Sequence, residues 1–246
     1  MALAVPTFAV QKSRDRFSSD HGWLRTSHSF SFADYVDPAN TNWGALRVFN
    51  DDYVAPGSGF PTHPHANMEI VTYVFDGKLE HRDTLGSHGI VESGGVQYLS
   101  AGTGLRHSEF NATNDRELHF VQMWVLPGER DTVPTYGQVD FKLDARRNRW
   151  LTVASGENVE APIRLTQHAT LRVAKLEAAA LDYRFAPGRL GFLFVGSGAA
   201  TVTTPGEPAR TAALESGDAV RLAGLDALRV EGDAELVFWD VPPVNA

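Results

Sequence analysis

Short apolar runs alternating with polar residues at a period of two recur along the chain, and few stretches carry the 3.6-residue period of an amphipathic helix. Residues 46–50, 69–76, 95–101, 105–110 and 117–126 read as strands, with turns at Asp76-Gly77, Gly102-Thr103-Gly104 and residues 111–115. Strands this short and closely spaced predict an all-β fold, a sandwich or small barrel, with few short helices. The charged and polar run 144–149 marks residues 134–150 as a linker or short surface helix, and a second β-rich unit begins at Leu151. The expected organisation is an N-terminal domain over 1–133, a linker over 134–150 and a C-terminal domain over 151–246.

The second unit is a degenerate echo of the first. Setting VFDGKL (74–79) beside VGSGAA (195–200) places Arg184 where His63 stands, Ala186 where His65 stands and Leu190 where Glu69 stands. Setting SGGVQYL (93–99) beside SGDAVRL (216–222) places Val230 opposite His107 and Gly232 opposite Glu109. No histidine follows His168, so an imidazole cluster is expected only in the first unit.

Composition narrows the function classes. A chain of 246 residues can bury a substantial core. The net charge of -8 and pI near 5.6 argue against a surface built to neutralise phosphates, so no direct nucleic-acid partner is expected. Without cysteine there is no disulfide, thiolate ligand or cysteine nucleophile, which leaves histidine and carboxylate as metal ligands. The opening MALAVPTFAVQKSRDRF lacks the charged and apolar regions of a secretory signal, and no apolar run is long enough to span a bilayer. The expectation is a cytoplasmic protein with no membrane partner.

The candidate chemistry lies between Gly57 and Asn111. His63-Pro64-His65 and His107-Ser108-Glu109 are two-residue spacings, which on strands put both members of each pair on one face. Pro64 keeps the backbone extended between its neighbours, and the Gly-rich turn before Leu105 delivers the second pair. Imidazoles with a carboxylate suit one divalent transition metal with positions left for water or substrate. A lone HxH would be a weak signal; the HxE downstream strengthens it.

GSGFPTHPHANMEIVTYVFDGKLEHRD followed by SAGTGLRHSEFN resembles the two motifs of the cupin superfamily, and specifically the pirin family. DHGWLRTSHSFSFADYVDP and ALRVFNDDYVAPGSGF are similar to pirin sequences as well. The resemblance implies a bicupin, two double-stranded β-helix barrels in one chain. It further implies one mononuclear metal in the N-terminal barrel, held by His63, His65, His107 and Glu109. Fe(II) is the metal the resemblance favours, while ligand type also admits Cu, Ni, Mn, Co or Zn. In the wider cupin pattern the glutamate comes from the first motif, here Glu69; in pirins the second motif supplies it, which selects Glu109.

The resemblance also implies activity like that of quercetin 2,3-dioxygenase, with a polyphenol and O2 as small-molecule partners and Glu109 as the catalytic base. The alternatives are a pirin-like interaction protein or transcriptional co-regulator without turnover, which would have a protein partner, and a scaffold with a vestigial metal. Phe60, Tyr98, Phe120 and Trp124 are candidates to line the pocket, about half of them by strand alternation. His21, His28, His81, His88, His119 and His168 are expected to be ordinary hydrogen-bonding residues, Arg106 a solvated charge, and Ser108 and Asn111 groups that orient loops or ligands.

Overall fold

The computed structural model describes residues 6–157, 159–206 and 208–244. The chain runs through β1 (Thr7–Gln11), β2 (Phe17–Asp20), β3 (Leu24–His28), β4 (Leu46–Val54), β5 (Gly59–His65), β6 (Glu69–Asp76), β7 (Lys78–Asp83), β8 (His88–Glu92), β9 (Val96–Ser100), β10 (Leu105–Asn111), β11 (Leu118–Val125) and β12 (Thr135–Val139). It continues through helix α1 (Leu143–Arg146) to β13 (Leu151–Ser155), β14 (Ile163–Arg164), β15 (Thr170–Arg184), β16 (Leu190–Thr204), β17 (Arg210–Glu215), β18 (Ala219–Ala223) and β19 (Ala227–Val241). The first barrel closes from a seven-stranded sheet, β12-β9-β6-β11-β4-β3-β2, facing a four-stranded sheet, β5-β10-β7-β8. The second is one sheet, β1-β18-β16-β19-β15-β13-β14, with β17 paired to β16. The fold is all-β, two cupin barrels in one chain. Among the described residues no helix is long and apolar enough to cross a membrane.

The five strand expectations hold to within a few residues at their ends. Residues 134–150, expected as a linker or surface helix, contain β12, which pairs with β9 from Thr135↔Ser100 to Val139↔Val96. The open edge of β9 explains this, since an unpaired edge leaves backbone donors and acceptors without partners. Only α1, a single turn, is helical there, and its buried Arg146 donates to Glu235 of the second barrel. The N-terminal strand also departs from the expected division, because β1 pairs with β18 of the second barrel.

The internal echo is real in topology but slips in register. The long strands β15, β16 and β19 each do the work of two strands in the first barrel: β19 meets β15 along its whole length, as β10 meets β5 and β11 meets β4. In the first barrel His63 lies opposite His107, yet Val230 lies opposite Leu181, three positions from Arg184. A bulge between Leu176 and Ala179 accounts for one of those three positions. Where the first barrel has its histidines, the second is packed with Leu181, Leu228 and Val230 in an apolar core.

Strand alternation divides the first barrel's main sheet into two faces. Odd residues of β4, β6 and β11 face the second barrel: Phe49 packs on Phe192 and Phe194 with ring centroids 4.8 and 4.9 Å apart, and the Trp239 indole donates to Met123 Sδ at 2.9 Å. Even residues face the barrel interior. One row of that interior is polar, because the register places His28, Asn50, Gln122, Thr72 and Gln97 side by side across five strands.

Candidate metal centre

The edge strand β5 carries His63 and His65, and the four-stranded sheet sets them against β10. His63 lies opposite His107 and His65 opposite Leu105, with Pro64 facing outward opposite Arg106. Proline is tolerated there because an edge strand does not need every N–H for the ladder. The turn before β10 is closed by Gly104 N–H donating to Ala101 O at 2.8 Å. Gly102 has φ +43°, and a Cβ there would sit 2.0 Å from Thr132 O, so the turn requires glycine. A register shift between His107 and Glu109 then brings Glu109 opposite Phe60.

The three rings converge. Centroids of His63, His65 and His107 are 4.5 to 4.9 Å apart, and one nitrogen from each lies within 4.8 Å of the other two. Glu109 groups at the same spacing with His107 and His81, so His107 is shared by two overlapping sets that together contain all four expected ligands. The Glu109 carboxylate rests on the polar row. Gln97 Nε2 donates to Oε1, and Gln122 Nε2 donates to Oε2 at 2.7 Å.

Hydrogen bonds fix which nitrogen each ring presents. His63 Nδ1 lies 2.8 Å from Pro61 O and can only donate there, which leaves Nε2 as the nitrogen available to a metal. Asp83 Oδ2 accepts from His81 Nε2 at 3.0 Å, and the His81 and His107 Nδ1 atoms are 3.2 Å apart. The network assigns the protons: His81 donates to the carboxylate through Nε2, accepts from His107 Nδ1–H, and so leaves His107 Nε2 unprotonated. His107 Nε2 and His65 Nε2 are both buried without a partner. Burial, with repulsion from neighbouring histidines, pushes His65 down to about 4 and His107 to about 3. Both rings are neutral at pH 7, as ligation of a cation requires. Buried imidazole nitrogens left without partners at one point fit a divalent transition metal.

The remaining expectations sort by strand face. Glu69, the alternative ligand, lies on the opposite face, where its carboxylate accepts from Tyr98 OH at 2.9 Å, Thr166 N–H at 2.7 Å and Gln167 N–H at 3.1 Å. Tyr98 is therefore drawn out of the pocket, and Phe120 packs in a separate apolar cluster with Leu24 and Val74. Phe60 and Trp124 line the cavity. Asn111 ties the loop after β10 to Val54 O and Arg116 O. Arg106 is exposed, and its guanidinium donates to Thr62 O. His119 donates to Asp51 and stacks on Tyr53, which settles it as a packed hydrogen-bonding residue.

The cavity beside the histidines has a volume of about 460 Å³, within the usual range for small-molecule sites. Phe17, Leu24, Phe32, Phe60 and Trp124 give it apolar walls, with His63, His65, Glu109 and Gln122 at one side and His28, Asn50 and Asp52 along the floor. Burial pushes the Asp52 carboxyl up to about 7, opposed by a hydrogen bond from Thr26 and reinforced by the charges of Asp51 and Glu109. The sequence reading missed His81 as an orienting group, the glutamines that hold Glu109, and Asn50 and Asp52. The available signal was a lone polar residue at an inward position of an otherwise apolar strand, as in VQYLS and FVQMW.

The Pirin family model matches residues 8–125, and that of the Quercetinase C-terminal cupin domain matches residues 152–241. A quercetin 2,3-dioxygenase of Escherichia coli K12 is 38% identical over 236 residues, 96% of this chain and 99% of that protein. The chain belongs to the pirin family. Another relative, the pirin-like protein of Caulobacter vibrioides, is 41% identical over 225 residues, 90% of this pirin and 94% of that protein. The crystal structure of the bacterial pirin YhhW from Escherichia coli in complex with nickel(II) matches with a TM-score of 0.87 at 33% identity, covering 97% of this pirin and 100% of that chain. This pirin thus has quercetinase-like relatives and, in its own first barrel, a histidine cluster suited to a metal.

Proposed function

We propose that this pirin is a metal-dependent dioxygenase that opens the ring of a flavonol such as quercetin with O2. The observation that carries the reading is the convergence of three imidazoles, two of them with buried unpartnered Nε2 atoms, at the wall of a largely apolar cavity of about 460 Å³. His63, His65, His107 and Glu109 would hold one divalent metal, with Fe(II) the first candidate. Such a metal, when bound, supplies Lewis acidity and open positions for substrate oxygens and O2.

The chain's own residues do the rest. The apolar walls formed by Phe17, Phe32, Phe60 and Trp124 exclude water and hold a flat aromatic ligand. Glu109 takes the proton of the flavonol hydroxyl as general base, at the carboxylate that Gln97 and Gln122 keep turned to the cavity. Each oxygen accepts one amide N–H and retains a lone pair for that proton. Asp83 and His81 hold the His107 ring in one tautomer throughout.

Anaerobic reconstitution with Fe(II), followed by quercetin and air, tests the reading through loss of flavonol absorbance. Loss in the metal-loaded protein and none in the metal-free protein is the expected result. No metal-dependent loss across a panel of flavonols and metals would overturn it.

A further inference from the structure

The floor of the cavity carries polar atoms that the proposed chemistry at Glu109 does not use. His28 Nδ1, Asn50 Oδ1 and Asp52 Oδ1 have no hydrogen-bond partner, although the three residues are only 5%, 3% and 4% exposed. All three line the cavity. They are neighbours by register: Asn50 lies opposite His28 on one side and Gln122 on the other, and Asp52 follows Asn50 on the same face of β4. Gln122 is the residue that donates to Glu109. The row from Gln122 to His28 therefore spans two interstrand spacings, about 9–10 Å, the reach of a linked pair of aromatic rings from the carboxylate.

We propose that His28, Asn50 and Asp52 form a hydroxyl-recognition subsite that selects ring-hydroxylated flavonols over flavonols with bare rings. The inference rests on the flavonol reading above and adds what determines which flavonol is taken. A buried acceptor without a donor is costly, so such atoms reward a ligand that brings one. Asn50 Oδ1 and the Asp52 carboxyl oxygen are acceptors, His28 Nδ1 is an acceptor or a donor according to tautomer, and a phenolic hydroxyl serves either role. Among the described residues lining the cavity none is Lys or Arg, so the floor offers a carboxylate or phosphate ligand no ammonium or guanidinium partner. A site built to hydrogen-bond a hydroxyl rejects the analogue that lacks it, because its polar atoms are then left unpaired.

The experiment compares binding of quercetin and of 3-hydroxyflavone, which keeps the metal-facing hydroxyl and carbonyl and lacks the other hydroxyls. Affinities are read by tryptophan fluorescence quenching of the metal-loaded protein without O2. Wild type is expected to prefer quercetin by about tenfold or more, and Asp52→Leu to lose about tenfold for quercetin with little change for 3-hydroxyflavone. Asp52→Asn, which keeps an acceptor, is expected to retain the preference. Equal affinities in wild type would overturn the subsite and leave the flavonol reading standing; this arm needs no variant. Equal losses for both ligands in Asp52→Leu, or none for either, would also overturn it. Binding of neither ligand to wild type would overturn both readings.

Discussion

His81 Nδ1 and His107 Nδ1 face each other at 3.2 Å inside the first barrel, and Asp83 anchors the far side of the His81 ring. The pair turns a residue outside the ligand set into the one that decides which nitrogen His107 offers. Replacing His81 with Phe removes the acceptor and leaves the tautomer of His107 unset. The expected result is a 10- to 100-fold loss of metal affinity, roughly the usual effect of such outer partners, measured by nickel(II) titration against a competing chelator. Affinity unchanged in a folded variant would show that the carboxylate–His81–His107 chain has no orienting role.

Glu109 is held at the cavity wall by two amide donors, Gln97 and Gln122. Glu109→Gln removes the base while preserving shape. Flavonol turnover should fall by about 10²-fold or more, the scale of general-base catalysis, while quercetin still binds. A variant with full metal content and full turnover would refute the base assignment.

Glu69 makes the contrary case among the carboxylates. It bonds Tyr98 and the backbone N–H groups of Thr166 and Gln167, so it joins the two barrels. Glu69→Ala strands those donors in a buried setting and should destabilise the protein by roughly 2–4 kcal/mol in urea unfolding, with metal stoichiometry unchanged. Loss of bound metal at unchanged stability would make Glu69 a ligand after all.

The Asp52 carboxyl offers a pH test on metal-free protein. Its folded value, raised by burial to about 7, lies above its ordinary value of 3.8, so the unfolded state ionises first. The stabilising preference of the fold for the protonated acid is complete below pH 4 and fades as pH rises toward 7. The loss is on the order of 1.4 kcal/mol per unit of difference. Asp52→Asn abolishes this dependence, so its stability advantage over wild type should grow from pH 4 to pH 7 and level off above. A constant difference across that window would mean that Asp52 titrates normally.

What was legible in the sequence were local facts. Alternation located β4, β6, β9, β10 and β11, and the two-residue spacings put His63 with His65 and His107 with Glu109, because a strand presents every second side chain to one face. No histidine follows His168, and among the described residues Leu181, Leu228 and Val230 pack in an apolar cluster of the second barrel. Long-range pairing decided the rest. Only the opposition of β5 and β10 brings His107 to His63 and His65, and only the inter-barrel face takes Glu69 and Tyr98 away from the cavity. The relay through His81 and the polar row from His28 to Gln97 come from strands far apart in the chain. Sequence period sets the face of a residue; the sheet register, closed by burial and backbone hydrogen bonding across the whole barrel, sets its neighbours.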